Sequence, residues 1–471
     1  MAIEIKRVLY EIGLDTPYSL LIDGTPHICE ALGVVIRYVD RKTKAICHRA
    51  LALKFYSRSF DTKKLAAAII EILVQQHGMK LYCLRVIIQD GCPVNGAAVT
   101  ALIPLLPDVL PPICVSHGSN VIGKIIPTTC PVAKKFEELW SYMMTTSLLA
   151  RSIFKNLLPA GEKLQRSNEI RWYQWWEICK QIDLHFNDCV SVINHNDEFA
   201  EATRLSLREL LVPGVVETMR AQSSLISDIG VELVKLCYKQ EGDGFECVTT
   251  YDHWNSVLSF LRVIANPDSH LAVRAALLPT LHATVCSIVF GHLPVDVINP
   301  AYVALMEDTI ATMLPVYEKM LYDTNNRMEF TINLHRTCRL CNWEFVSRTN
   351  TLALQNEFVQ INRIPMAVQL DHALLIAELH IYKELADVES GKPLGQRLNH
   401  WDFWLTHALT LPLLFKIACE IALIAPSSAS VERLFSLLTK IFSDSQERAL
   451  EDYKAAAVIL RYNYRKRDDG H

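Results

Sequence analysis

The stretch "PSSASVERLFSLL", residues 426–438, follows a run that is almost wholly apolar, "LTLPLLFKIACEIALIA" (409–425). Pro426, Ser427, Ser428 and Ser430 read as a helix start. Serine hydroxyls can cap orphan N–H groups there, and a proline is tolerated before the first full turn. That helix carries Glu432 and Arg433 at its entrance, which admits two readings. One is a carboxylate placed favourably at the positive end of the helix dipole. The other is a carboxylate aimed at a metal.

The totals bound the problem. A chain of 471 residues exceeds one compact core, implying about three domains or one domain with a large insertion. Hydrophobic content of 50% and charged content of 21% describe an ordered globular protein. A formal net charge of −4 does not advertise a nucleic-acid binder, although a local basic strip can hide in a neutral total. The fourteen cysteines are scattered, which reads as reduced thiols in a reducing compartment. The opening "MAIEIKRVLYEIGLD" has no apolar core of a signal peptide. The best membrane-span candidate is interrupted by Lys416 and Glu420. These features predict a soluble, intracellular protein with no membrane partner.

Along the chain, "YSLLID", "ALGVVIRYVD" and "AICHRALALKFY" read as strands. "DTKKLAAAIIEILVQQHG" has an Asp cap, helical apolar spacing and a Gly stop. "YCLRVIIQDG" is a buried strand ending in Asp90, "PVNGAAVTALIPLL" starts a helix, and "PPICVSH" is a short strand. This order predicts an α/β unit with a mixed sheet. From about residue 131 the period turns helical and stays so, as in "AKKFEELWSYMMTTSLLARSIFKNLL". "VESGKPLGQRLNH" has the Gly and Pro content of a linker and predicts a boundary near 395. An α/β part, a helical block and a final helical segment suggest an insertion that splits one domain.

Asp23 ends the first predicted strand and Asp90 the fourth. Strand C-terminal ends of open α/β sheets are where ligands gather. Two carboxylates there can hold paired Mg²⁺ ions for phosphoryl transfer, with Glu432 available as a third. Judged singly, an Asp after a strand is most often a turn residue or helix cap.

The combination resembles the hAT transposase superfamily. The residues that carry the resemblance are Ser427 and Ser428, then Glu432, Arg433, Phe435 and Ser436, then Arg448, Leu450 and Asn463, after the Trp-containing segment "HWDFWLTHALTLPLLFKIACEIALIA". Upstream, "IDGTPH", "IIQDGCPVNGAAV", "CVSH" and "EIRWYQWW" look like the family's two Asp motifs, its Cys-x-x-His and its Arg-Trp pair, in that order. The resemblance implies an α/β ribonuclease H-like mixed sheet interrupted by a large all-α insertion, with a helical C-terminal dimerisation segment. The expected divisions are 1–130, 131–395 and 396–471. It further implies Asp23, Asp90 and Glu432 as catalytic and metal-binding residues with Mg²⁺ or Mn²⁺. Arg171 and Trp172 become DNA-binding candidates, and Cys114, His117, Arg433, Phe435 and Ser436 motif residues. The implied protein is nuclear, acts on DNA, and forms a homodimer or higher oligomer through about Leu411 to Leu460. Two departures favour an alternative, a catalytically inactive or domesticated dimerising relic. Thr25 stands where the family has an aromatic base-stacking residue, and the chain opens almost directly on the sheet, without the family's zinc-finger DNA-binding domain.

Five further signals carry competing readings. Cys114 and His117 have the spacing of half a zinc site, but a structural zinc needs four ligands, so a structural pair packing the sheet against the insertion is expected. His335, Cys338 and Cys341 in "HRTCRLC" are expected to be core thiols and a surface histidine. "GSNVIGKI" fits a phosphate-binding loop only up to Ile125, where Ser or Thr should stand. Trp172, Trp175 and Trp176 lie at helical spacing, for which core packing is the default. The basic tail "RYNYRKRDDGH" reads equally as a phosphate contact or a solvated helix end.

Overall fold

A computed structural model describes residues 2–13, 15–25, 30–56, 61–165, 172–194, 201–266, 269, 273, 276–289, 311, 314–315, 318, 327–442 and 451–468. The chain divides into two compact units. The first comprises residues 1–118, 238–253 and 323–471, and the second 119–237 and 254–322. Most of the described residues are helical, around one small mixed sheet.

The sheet belongs to the first unit. Helix α1 (Ala2–Ile12) precedes strands β1 (Tyr18–Thr25), β2 (Glu30–Val39) and β3 (Ile46–Tyr56). Helix α2 (Thr62–Ile70) starts on Asp61, whose carboxylate accepts the Lys64 N–H at 2.8 Å, and its continuation ends before Gly78 at φ +62°. Strand β4 (Leu84–Gln89) and helix α3 (Pro93–Leu102) follow. The order is β3-β2-β1-β4, with β2 antiparallel to both neighbours and β1 parallel to β4. β1 and β4 carry runs of buried Leu, Ile and Val, the pattern of strands covered on both faces.

Residues 110–114 add a rudimentary edge beyond β4. Leu110 N–H donates to Arg85 O at 2.8 Å, and Cys114 N–H to Gln89 O at 2.7 Å, where the sequence predicts a strand. Pro111 and Pro112 have no N–H to give, so only isolated bridges form. The chain then turns directly into helix α4 (Val115–Gly123). Gly118 and Gly123 therefore sit in a helix, not in a phosphate-cradling loop.

Six of the described helices of the first unit are used below. They are α5 (Arg327–Cys338), α6 (His372–Gly391), α7 (His400–Thr406), α8 (Pro412–Ile421), α9 (Ala429–Ile441) and α10 (Glu451–Asp468). Their apolar residues, among them Leu375, Tyr382, Phe403, Trp404, Ile417, Leu434 and Val458, share one core with β1–β4. Residues 327–391, assigned by sequence to the insertion, thus lie with the sheet. The stretch read as a linker is a tied turn: Glu389 accepts the Leu398 N–H at 2.7 Å, and Arg397 donates to Ser390 O at 2.7 Å. Gly and Pro signalled a chain reversal there rather than a domain boundary.

His335 corrects another expectation. It is fully buried, with Nδ1 3.3 Å from Cys247 O, and burial holds its imidazole down at about 4. Cys338 and Cys341 are buried thiols pushed well up by the same loss of solvent.

The second unit is helical. Phe136, Trp140 and Phe154 form its aromatic centre, with Trp140 and Phe154 edge-to-face at 4.9 Å. Trp172 opens the helix Trp172–Leu184. On the same helix Trp176 is buried against Gly230 and donates Nε1–H to Ser227 O at 3.1 Å. That is core packing, as the spacing predicts. Among the described residues no helix is long and apolar enough to cross a membrane.

The edge strand β3 is closed by a side chain. Asn463 of α10, 0% exposed, accepts the Ala50 N–H at 2.7 Å and donates to Ala50 O at 3.1 Å. One amide thus does the work of a neighbouring strand's peptide. Asn463→Ala is expected to strand both Ala50 groups and lower stability by roughly 1–3 kcal/mol in urea unfolding. Unchanged stability would contradict this closure.

Candidate functional site

Strand register brings the two aspartates level. Ile22 pairs with Gln89 across the parallel β1–β4 ladder, so Asp23 and Asp90 lie one step beyond that pair on neighbouring strands. Neighbouring strands are about 4.8 Å apart. Both are partly buried. Each also performs turn chemistry: Asp23 Oδ1 accepts the Gly24 N–H at 2.8 Å, and Asp90 Oδ1 accepts the Cys92 N–H at 3.1 Å. Asn95, buried on α3, donates its side-chain N–H to the same Asp90 oxygen at 2.6 Å. The Asp90 carboxylate is therefore held in one orientation by two donors.

Helix α9 reaches the same end of the sheet because β2 carries a glycine there. Gly33 pairs directly with Asp23, and directly opposed residues project from one face. A Cβ on Gly33 would lie 2.7 Å from Val431 Cγ1 and 3.0 Å from Phe435 Cζ. The helix therefore lies on the face from which Asp23 rises, at a distance only glycine permits. Val431 and Phe435, four apart, form its sheet-facing stripe.

The lead of α9 is tied on one flank, where the Ser428 N–H points at Cys114 Sγ at 3.3 Å. Cys114 is fully buried, its thiol is pushed up by that burial, and it feels the negative charge of Asp23. His117 lies over Gly91, directly after Asp90. Val115 N–H donates to Pro426 O at 2.8 Å. The Cys-x-x-His element thus ties the end of β4 to the lead of α9. Its geometric reason is the pair of close approaches, at Gly91 and at the Ser428 N–H.

The other flank of α9 faces residues 240–244. Ser427 Oγ donates to Gln240 O at 2.9 Å, and Ser430 Oγ to Asp243 Oδ1 at 2.9 Å. Arg433 donates to Glu241 O at 2.9 Å and pairs with Asp243. The serines expected to cap the helix are mostly engaged elsewhere. The N-cap Ser428 makes no side-chain cap bond, and only Ser427 Oγ accepts from Ala429 N–H, at 3.4 Å. Burial against a polar segment offered these hydroxyls better partners.

Donor chemistry at this end of the sheet suits a hard divalent cation, since carboxylate oxygens are the ligands Mg²⁺ and Mn²⁺ take. Among the described residues, however, no three or more His, Cys, Asp and Glu side chains are gathered as a set that could hold a metal ion. Asp23, Asp90 and Glu432 stand on elements that meet, without forming a closed ligand cage. The same observation leaves Cys114 and His117 without the additional ligands a structural zinc needs.

Residues 378–464 match the family described as the hAT family C-terminal dimerisation region. The chain carries an hAT dimerisation region. The resemblance noted from "VERLFS" and the Trp-containing segment is thereby supported over residues 378–464. No curated protein matches the chain. In this structure the hAT region is not a detached module. Trp404 donates Nε1–H to Cys341 O at 2.9 Å, and Asn463 bonds both backbone groups of Ala50 on β3. Arg433 and Phe435 have the contacts given above, while Ser436 is exposed. Arg448 and Leu450 lie outside the described residues, as do Arg171 and the side chains of Thr25 and Trp172.

Asn95, Gly33, Gly91 and Asp243 were not among the expected site residues. A lone glycine inside the apolar strand "ALGVVIRYV" was a usable signal of close backbone approach. Asp243 had no such signal, because its partners are nearly two hundred residues away. Gly33→Ala is expected to push α9 off the sheet and lower stability by roughly 1–3 kcal/mol in denaturant unfolding. A variant as stable as the wild type would mean that the helix does not sit there.

Proposed function

We propose that this chain is an hAT-transposase-derived protein that self-associates and performs divalent-metal-dependent phosphodiester chemistry on DNA. The observation that carries this reading is the meeting of three carboxylate-bearing elements at one end of the sheet: the ends of parallel strands β1 and β4, and the first turn of α9. A mixed sheet that is followed by a helical block and completed by later helices supports a ribonuclease H-like catalytic domain.

In this reading Asp23, Asp90 and Glu432 hold Mg²⁺ or Mn²⁺, which when bound would activate the attacking hydroxyl and stabilise the leaving oxygen. Asn95 and the Cys92 N–H fix the Asp90 carboxylate before binding. Cys114, protonated and buried, supplies a neutral wall that adds no competing charge beside Asp23. Arg171 and Trp172 are the residues assigned to DNA, through phosphate contact and base stacking.

Self-association is assigned to the outward face of α10. Tyr453, Leu460 and Tyr464, at helical spacing, are 63%, 42% and 62% exposed, while Val458, Ile459 and Tyr462 on its other face fill the core. This face lies within the matched dimerisation region, so its occupant in this reading is a second copy of the chain. Replacing Tyr453 and Leu460 by Glu is expected to convert the oligomer to monomer in light scattering, with the fold retained. An oligomer of unchanged mass would place the contact elsewhere.

A second reading, a dimerising protein without catalysis, is favoured by the ungathered carboxylates. Calorimetric titration of Mn²⁺ separates the two. The catalytic reading expects binding in the wild type and its loss in both Asp23→Asn and Glu432→Gln. Absence of binding with and without a DNA duplex supports the second reading.

A further inference from the structure

Asp243 occupies a position that the proposed chemistry does not explain. It lies on the short segment 238–253, which belongs to the first unit between two stretches of chain that belong to the second. Its carboxylate accepts from Ser430 Oγ, pairs with Arg433, and lies 3.3 Å from His48 Nδ1. His48 Nε2 in turn lies 3.0 Å from an Arg37 nitrogen, and Arg37 and His48 are directly paired across β2 and β3. Arg37 can only donate, so His48 Nε2 accepts, and the Nδ1 proton is then directed at Asp243. Arg37 itself is 0% exposed and donates to Ala422 O at 2.6 Å, Gly244 O at 2.5 Å and Asp243 O at 3.3 Å.

These bonds form one continuous bracket. It starts on the strands at His48 and Arg37, crosses residues 243–244, and ends on Ser430 and Arg433. Those two residues flank Glu432 in the first turn of α9. The lead into that turn, at Pro426 and Ser428, is held by Cys114 and Val115. The turn that carries Glu432 is therefore tied both at its lead and along the flank of Ser430 and Arg433.

We propose that Asp243 is a positioning residue for Glu432. The segment 240–244 is a strap that sets where the third carboxylate stands relative to Asp23 and Asp90. Its metal-related consequence rests on the catalytic reading given above, but the clamping itself does not. A carboxylate accepting from a guanidinium and a hydroxyl forms charge-assisted bonds, stronger than neutral ones and restricted in direction. Supporting groups of this kind typically change metal affinity by about 10- to 100-fold when removed.

The test pairs two independent readouts on the full chain, using Asp243→Ala and Asp243→Asn. The first is amide hydrogen exchange, followed by mass spectrometry, over residues 426–438. Asp243→Ala is expected to speed exchange there by about tenfold or more, while peptides from β1 and β4 keep wild-type rates. Asp243→Asn retains an acceptor oxygen and is expected to recover most of the protection. The second readout is Mn²⁺ affinity, expected to fall about tenfold or more in Asp243→Ala and less in Asp243→Asn. Wild-type exchange rates over 426–438 in Asp243→Ala would overturn the proposal, and so would faster exchange with undiminished Mn²⁺ affinity. If the wild type binds no Mn²⁺, the catalytic reading fails, while locally faster exchange still supports the strap.

Discussion

The missing side chain at Gly33 is the constraint on which the rest of the site depends. Any Cβ at that position would run into Val431 and Phe435, so the helix that carries Glu432 could not lie against β2. Its seating determines that a residue more than four hundred positions from Asp23 reaches the same end of the sheet. Sequence distance is bridged by one steric vacancy. The apolar contacts of Val431, Leu434 and Leu438 then hold the helix there as part of the core.

Apolar packing alone leaves a helix able to rotate or slide on the sheet, because it is non-directional. The polar partners supply the missing direction. Cys114 and Val115 fix the lead of α9 on one flank, and Asp243 and Glu241 hold Ser430 and Arg433 on the other. Arg37 carries a buried charge, for which leaving a partner unsatisfied would be costly. Its guanidinium is instead met by three backbone carbonyls and His48. The hAT region is thus bound to the sheet by a core, a closed strand edge at Asn463 and a polar bracket. The matched dimerisation region and the ends of β1 and β4 that carry Asp23 and Asp90 share one scaffold.

Much of this arrangement was legible in the sequence, and the limits have physical causes. β1 to β4 and α2 stood out because apolar runs, an Asp cap and a Gly stop are local signals. The dimerisation region was readable because "VERLFS" and the Trp-rich lead form a dense pattern. The serines misled, since a Ser-rich helix lead looks like a cap whether its hydroxyls face the helix or a distant segment. "VESGKPLGQRLNH" misled in the same way: its Gly and Pro mark a turn, and only Glu389 and Arg397 reveal that the turn is tied down. His335 was misplaced because a histidine beside Arg336 looks solvated until Cys247 is brought against it. The strap at Asp243 was invisible because every partner that gives it meaning lies far away in the chain.

The central claim is that α9 delivers Glu432 to the aspartates at the ends of β1 and β4 to make one divalent-cation site. Crystals grown with Mn²⁺, measured at the manganese absorption edge, test it most directly. The account predicts an anomalous peak ligated by Asp23 and Asp90, with Glu432 as a further ligand. Manganese bound only elsewhere, or a peak at the strand ends with Glu432 turned away from it, would contradict the claim.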